Sequence, residues 1–254
     1  INIFVNGGSA KMHIKDKIML DLDGLKKEGP ITIVAFGDSV THGSLIYDRK
    51  SYETVYWNVL RKMILRVRNY VPVNVIDAGI GGTAASNSLD RLDAHVLVHK
   101  PDLVIICFGL NDINGTLDEY LSALEIMFKK CKESGTDVIF MTPNMLNTYV
   151  DEETPKNLLD YAAFTMECQN SGKMDLYMKS AMELAEKEGV TVCDCYSKWK
   201  ELAKTRDTTK LLINRINHPI PEMHELFAQS LFEIIFKDMP EVIPESPSSM
   251  FNGI

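Results

Sequence analysis

Cysteine is scarce in this chain of 254 residues. The five present, Cys107, Cys131, Cys168, Cys193 and Cys195, are odd in number and scattered. Such a set does not make a disulfide framework and points to a reducing compartment. Cys193 and Cys195 form a C-x-C pair that would share one face of a strand. Zinc would need two more well-spaced ligands, which the sequence does not offer, so the thiols read as buried structural groups and no metal site is expected. Long apolar runs are also missing. The longest nearly unbroken one, Leu103 to Leu110, is far short of the roughly 20 residues that span a bilayer. A basic excess is absent too: 27 Lys and Arg stand against 35 Asp and Glu, a net charge of −8. That balance argues against a nucleic-acid partner and against an anionic membrane surface. There is no G-x-G-x-x-G and no Gly-Lys-Ser/Thr, which argues against dinucleotide and phosphate-loop binding. Internal repeats, low-complexity tracts and Gly/Ser linkers are lacking. No secretory signal is visible, so the expected location is the cytoplasm, with the Ile1 start leaving room for a removed leader.

What is there is ordinary globular material, 45% hydrophobic and 24% charged. Short apolar runs alternate with helix-length amphipathic segments. Ile31–Phe36, Val73–Ile76, Leu103–Phe108, Asp137–Met141 and Val190–Cys195 read as strands, and the continuous apolarity of the third predicts burial on both faces. Tyr52–Val67, Leu89–Val98, Leu117–Lys132, Lys173–Lys187 and His224–Phe236 read as helices, and Asn144–Asn157 as a long loop. Five strand-helix alternations predict one α/β domain: a three-layer α/β/α sandwich on a five-stranded parallel sheet. Residues 1–28 fit the alternation poorly and are expected to form an N-terminal arm or edge hairpin. The domain is expected over 29–240, with a C-terminal tail over 241–254.

Ligands of such sheets bind at the carboxyl ends of the strands. The first strand is followed by Gly37-Asp38-Ser39-Val40-Thr41-His42-Gly43, where a strand-to-helix turn could expose a nucleophilic hydroxyl or merely cap a helix. The second is followed by Asp77-Ala78-Gly79-Ile80-Gly81-Gly82-Thr83, whose glycines allow backbone N–H groups to approach a ligand or simply make a tight turn. The third is followed by Gly109-Leu110-Asn111-Asp112; Asn111 offers an amide donor suited to a developing oxyanion, or an Asx turn. Near the C-terminus stands Asn214-Arg215-Ile216-Asn217-His218-Pro219. A hydroxyl, an imidazole and converging N–H donors make an acyl-transfer site.

The order of these blocks, Gly37-Asp38-Ser39, then Gly82, then Gly109-x-Asn111-Asp112, then His218-Pro219, resembles that of the SGNH hydrolases, also called GDSL-type esterases, over roughly Ile31 to Phe236. The resemblance implies a flavodoxin-like sheet and a role for each matching position. Ser39 would be the nucleophile and His218 the general base. The oxyanion hole would be made by the Ser39 N–H, the Gly82 N–H (with Gly81 as the one-residue alternative) and the Asn111 side chain. No cofactor is required. One position departs from the family pattern: the Asp that usually lies three residues before the base is here Arg215. The expectation is therefore a Ser-His dyad, with Arg215 pointing away and the imidazole oriented by a backbone carbonyl, that of Arg215 among the candidates, or by the Asn214 side-chain oxygen. The function expected is a serine esterase acting on small acyl esters, acetyl foremost, of a small molecule or carbohydrate, without membrane insertion. The alternatives are a lysophospholipase or thioesterase of the same family, or a non-catalytic binding module. The oligomeric state is not legible.

Overall fold

The computed structural model describes residues 13–46 and 49–237. Two short helices, α1 (His13–Ile18) and α2 (Leu22–Glu28), precede strand β1 (Ile31–Gly37). They stand where an arm or edge hairpin was expected. The reason is local: Asp21 caps α2 by accepting the Gly24 N–H, and Ile14 and Ile18 at helical spacing are both buried in the core. The chain continues through α3 (Tyr56–Val67), β2 (Val73–Gly79), a short α4 (Leu92–His95) flanked by 3₁₀ turns, β3 (Leu103–Cys107), α5 (Leu117–Glu133) and β4 (Asp137–Met141). After a long loop come α6 (Leu159–Asn170), α7 (Lys173–Lys187), β5 (Thr191–Cys193), α8 (Cys195–Ala203) and α9 (His224–Ile235). The 1–12 part of the expected arm and the 241–254 tail lie outside the described residues.

All five strands run parallel in the order β2-β1-β3-β4-β5, with helices on both faces. From β1 the chain steps outward to β2, whereas β3, β4 and β5 follow one another in the opposite direction. Right-handed crossovers therefore place their helices on opposite faces. On one side α3 packs with α9, and on the other α5 packs with α7. Every residue of β3 is buried, as the unbroken apolar run predicts. The fold is the expected α/β/α sandwich.

Cys193 closes β5, while Cys195 opens α8 rather than continuing the strand. Their sulfurs lie 3.7 Å apart and both are free thiols. Burial pushes the Cys195 thiol well up, which keeps it inert at neutral pH. Among the described residues no helix is long and apolar enough to cross a membrane, and no group of three or more His, Cys, Asp or Glu is placed to hold a metal.

The strand order reverses direction between β1 and β3. In open sheets of this order, ligands bind at that switch point. The loops after β1 and β3 carry Ser39 and Asn111.

Candidate active site

Ser39 leaves the sheet on a turn that its neighbours hold tightly. Gly37 ends β1 where a Cβ would lie 2.6 Å from the Cys107 carbonyl oxygen, so no other residue fits there without displacing backbone. The Asp38 carboxylate accepts the Val40 N–H at 2.9 Å, and the Ser39 carbonyl accepts the Ser44 N–H at 2.9 Å. Arg91 braces the turn from behind. Its guanidinium donates to the Gly37 carbonyl at 3.1 Å and to the Ala78 carbonyl, tying the ends of β1 and β2 together, and it lies 4.5 Å over the Phe36 ring.

His218 reaches Ser39 from the opposite end of the chain. Its Nε2 is 3.0 Å from the Ser39 Oγ, and its Nδ1 is 2.7 Å from the Leu45 carbonyl oxygen. A carbonyl only accepts, so Nδ1 carries the proton and Nε2 presents a lone pair to the Ser39 hydroxyl. That is the tautomer a general base needs. Burial holds the His218 pKa below the usual histidine value. The Leu45 carbonyl opposes that shift and the Lys50 charge adds to it.

Of the partners expected for Nδ1 it is a backbone carbonyl that stands there, but that of Leu45, and not the Asn214 side chain or the Arg215 carbonyl. The Asn214 Oδ1 accepts three backbone N–H groups, those of Ile216, Asn217 and His218, at 2.9–3.0 Å, so it serves the loop rather than the ring. The Arg215 carbonyl is not the acceptor either; the Leu45 carbonyl is. The Arg215 side chain points away, as expected. It donates to Leu212 O at 2.7 Å and to Glu153 at 2.9 Å, with Asp151 3.8 Å off. Its backbone sits at φ +60°. Sequence reasoning missed Leu45 because a main-chain acceptor leaves no side-chain signal.

Asn111 follows β3; its amide donates to Thr83 O at 3.0 Å and stands 3.5 Å from the Asp38 carboxylate. Gly82 adopts φ +79°, a conformation that favours glycine, whereas neighbouring Gly81 needs no such value. A cavity of about 730 Å³ brings these residues together: Ser39, Gly81, Gly82, Asn111 and His218 all line it. Leu45, Ile80, Leu158, Tyr161 and Ile216 supply an apolar wall. Met145 and Leu146 of the long loop lie in the core instead, and the Tyr149 hydroxyl donates to Asp207 at 2.6 Å.

Two buried acids lie beneath. Burial pushes the Asp38 carboxyl up to about 7, opposed by the Val40 N–H and helped by the Asp112 charge, and pushes that of Asp112 up to about 6, opposed by the Ala85 and Gly109 N–H groups. Asp112 accepts the Ala85 N–H at 2.8 Å and so fixes the loop after Gly82 to the loop after β3.

Residues 35–226 match the family described as GDSL-like Lipase/Acylhydrolase. An acetylxylan esterase of Geobacillus stearothermophilus is 24% identical over 175 residues, covering 64% of this chain and 72% of that protein. An arylesterase of Vibrio mimicus is 30% identical over 125 residues, 47% of this chain and 60% of the relative. The crystal structure of the Geobacillus acetylxylan esterase superposes with a TM-score of 0.63 at 22% identity, covering 81% of this chain and 94% of that one. Further structures of that enzyme are of catalytic mutants at a serine, an aspartate and a histidine. The chain belongs to the GDSL-like lipase/acylhydrolase family and is an ester hydrolase of the GDSL type.

Proposed function

We propose that this ester hydrolase is a serine esterase working through a Ser39–His218 dyad on short acyl groups, acetyl foremost. The observation that carries the proposal is the chain of contacts from the Leu45 carbonyl through the imidazole to the Ser39 hydroxyl, at 2.7 and 3.0 Å. The Ser39 proton passes to Nε2 as Oγ attacks the ester carbonyl carbon. The carbonyl π electrons move to the oxygen, which becomes an oxyanion. The Ser39 and Gly82 N–H groups and the Asn111 amide receive that charge, and such donors act most where charge develops. Collapse of the intermediate expels the alcohol, which takes the proton from Nε2, and leaves an acyl ester on Ser39. Water, deprotonated by the same Nε2, then attacks the acyl carbon; collapse releases the acid and returns the proton to Ser39.

Small substrate size is supported by the cavity wall. Of the segment between β4 and α6, Pro155, Asn157 and Leu158 line the cavity, while Met145 and Leu146 are buried in the core. To the apolar wall that segment adds Pro155 and Leu158, a short stretch that suits a small acyl group better than a long tail. Asn157, Asn217, Ser44 and His42 give the rest of the lining a polar character that suits a hydroxyl-bearing alcohol such as a sugar. The acetylxylan esterase likeness points the same way.

A series of p-nitrophenyl esters from acetyl to decanoyl, with Ser39→Ala as control, tests the reading. The expected ranking has acetyl at the highest kcat/KM and no turnover above background for the variant. A preference for the roughly ten-carbon chain would move the assignment to a long-chain lipase or lysophospholipase. Absence of hydrolysis across the series, and of thioester hydrolysis, would leave a binding module.

A further inference from the structure

His218 belongs to no helix or strand. It sits in a narrow loop whose stem is closed by the Leu212–Pro219 bridge, with the Ile213 N–H donating to the His218 carbonyl at 2.7 Å and the Ile220 N–H to Leu211 O at 2.9 Å. Such a loop would ordinarily be free to tilt, yet a base must be held to a fraction of an ångström.

Three buried side-chain amides supply the restraint. The Asn214 Oδ1 fills the inside of the loop, accepting the Ile216, Asn217 and His218 N–H groups. Its Nδ2 donates to the Asn217 Oδ1 at 2.9 Å, so the Asn214 oxygen and nitrogen are both assigned by their partners. Outside the loop, Asn144, three residues past β4, donates to the Asn217 carbonyl at 2.9 Å and to the Met145 carbonyl at 2.8 Å. The Asn147 N–H adds a bond to Ile216 O at 2.9 Å. Among the described residues none donates to the buried Asn144 Oδ1, so this side chain's bonds all run from its amide nitrogen to the loop and to Met145. The bonds run from the end of β4 through Asn144 to the Asn217 backbone, and through Asn214 to the amide of the base itself.

We propose that Asn144, Asn217 and Asn214 form an amide cradle that positions His218 between the Leu45 carbonyl and Ser39, so that anchoring of the loop backbone takes over the orienting work that a carboxylate would do by touching the ring. The proposal rests on the Ser39–His218 reading. Asn214 is the central positioning residue, since three N–H donors converge on one of its atoms. Arg215 follows from the same arrangement. A loop already held from inside needs no carboxylate at that position, and the side chain is left to pair with Glu153 on the outside.

The test pairs kinetics with a spectroscopic reading of the ring. The Nδ1–H donated to Leu45 O should give a low-field proton resonance, assigned by its loss in His218→Ala. In Asn214→Ala, kcat on p-nitrophenyl acetate should fall about a hundredfold, the scale of a misplacement near 1 Å, with KM changed less than threefold and the low-field resonance lost or moved. Asn214→Asp keeps the acceptor oxygen and should restore both the resonance and kcat to within about tenfold of the wild type. Asn144→Ala removes the outer anchor and should show the same pattern at smaller size, which keeps the proposal testable if Asn214→Ala does not fold. Rates are normalised to phosphonate-titrated active sites. Unchanged kcat per active site with an unmoved resonance in both Ala variants would overturn the cradle. So would a lowered melting temperature with no change in either reading. Failure of the esterase reading would look different: the wild type itself would show no Ser39-dependent hydrolysis.

Discussion

Substituting Arg215 separates a dyad from a damaged triad. The guanidinium makes one good bond to the Leu212 carbonyl, pairs with Glu153, which is 58% exposed, and lies 3.8 Å from buried Asp151. Half-exposed ion pairs are worth about 0–1 kcal/mol, and a partly exposed hydrogen bond adds about 1 kcal/mol. Arg215→Ala should therefore destabilise the protein by about 1–2 kcal/mol, which for a domain of this size lowers the melting temperature by roughly 2–8 °C. Turnover should stay within about tenfold, because no Arg215 atom bonds to His218 or Ser39. Arg215→Asp is the sharper variant. It recreates a carboxylate three residues before the base, but Nδ1 is already bonded to Leu45 O, and the new charge faces Asp151 and Glu153. The expected outcome is a larger loss of stability than in the Ala variant and no gain in kcat. Loss of the carboxylate from an established triad costs about 10⁴, so a site that still wanted one should respond strongly. The assay is kcat on p-nitrophenyl acetate beside a thermal melt. A tenfold or greater rise in kcat for Arg215→Asp, or a thousandfold fall for Arg215→Ala with the fold intact, would refute the reasoning.

Three further outcomes follow from the same geometry. Asn111→Ala should lower kcat about 10²–10³-fold with a smaller change in KM, since an oxyanion donor acts when charge develops; a change confined to KM would make Asn111 a substrate-holding residue. The base must be neutral, so kcat/KM should rise with pH through a midpoint below the ordinary histidine value of about 6.5. Lys50→Ala removes a like charge and should move that limb to higher pH, and a limb that stays put would remove Lys50 from the site's electrostatics. His224 is buried, accepts the Tyr56 N–H at 3.2 Å, and is pushed down to about 4, mainly by burial. The unfolded chain then binds the extra proton between about 6.5 and 4, so stability is lost as pH falls through that window, by about 3 kcal/mol. Asp38 and Asp112, with raised values, run in the opposite sense. The measurement is accordingly a difference in urea midpoint between wild type and His224→Gln at pH 7 and pH 4; a constant difference would refute a neutral buried imidazole.

The strands were legible because unbroken β-branched and apolar runs are hard to read otherwise, and Asp137–Met141 has the bounds the pattern predicts. Four helices were not: α1 and α2 stand in what reads as an arm or hairpin, and α6 and α8 were missed as well. In α6 the apolar residues are spread around the whole circumference, so no helical face appears in the sequence, and α8 begins at Cys195, inside what reads as strand. The block residues Ser39, Gly82, Asn111 and His218 could be picked out by type and order. The orienting group could not, because the Leu45 carbonyl is main chain and lies 173 positions from His218. The roles expected for Asn214 failed in an instructive way: its oxygen does reach His218, but at the backbone N–H, where Asx chemistry competes with the ring.

A nucleophilic Ser39 activated by His218 is the core of the proposed mechanism. Incubation with an organophosphonate ester, followed by peptide mapping by mass spectrometry, reads this directly. One adduct per chain is expected, on the peptide carrying Ser39, forming with the same rate constant at which hydrolysis is lost and absent from Ser39→Ala and His218→Ala. Label recovered on another residue, or full inactivation with Ser39 unmodified, would contradict it.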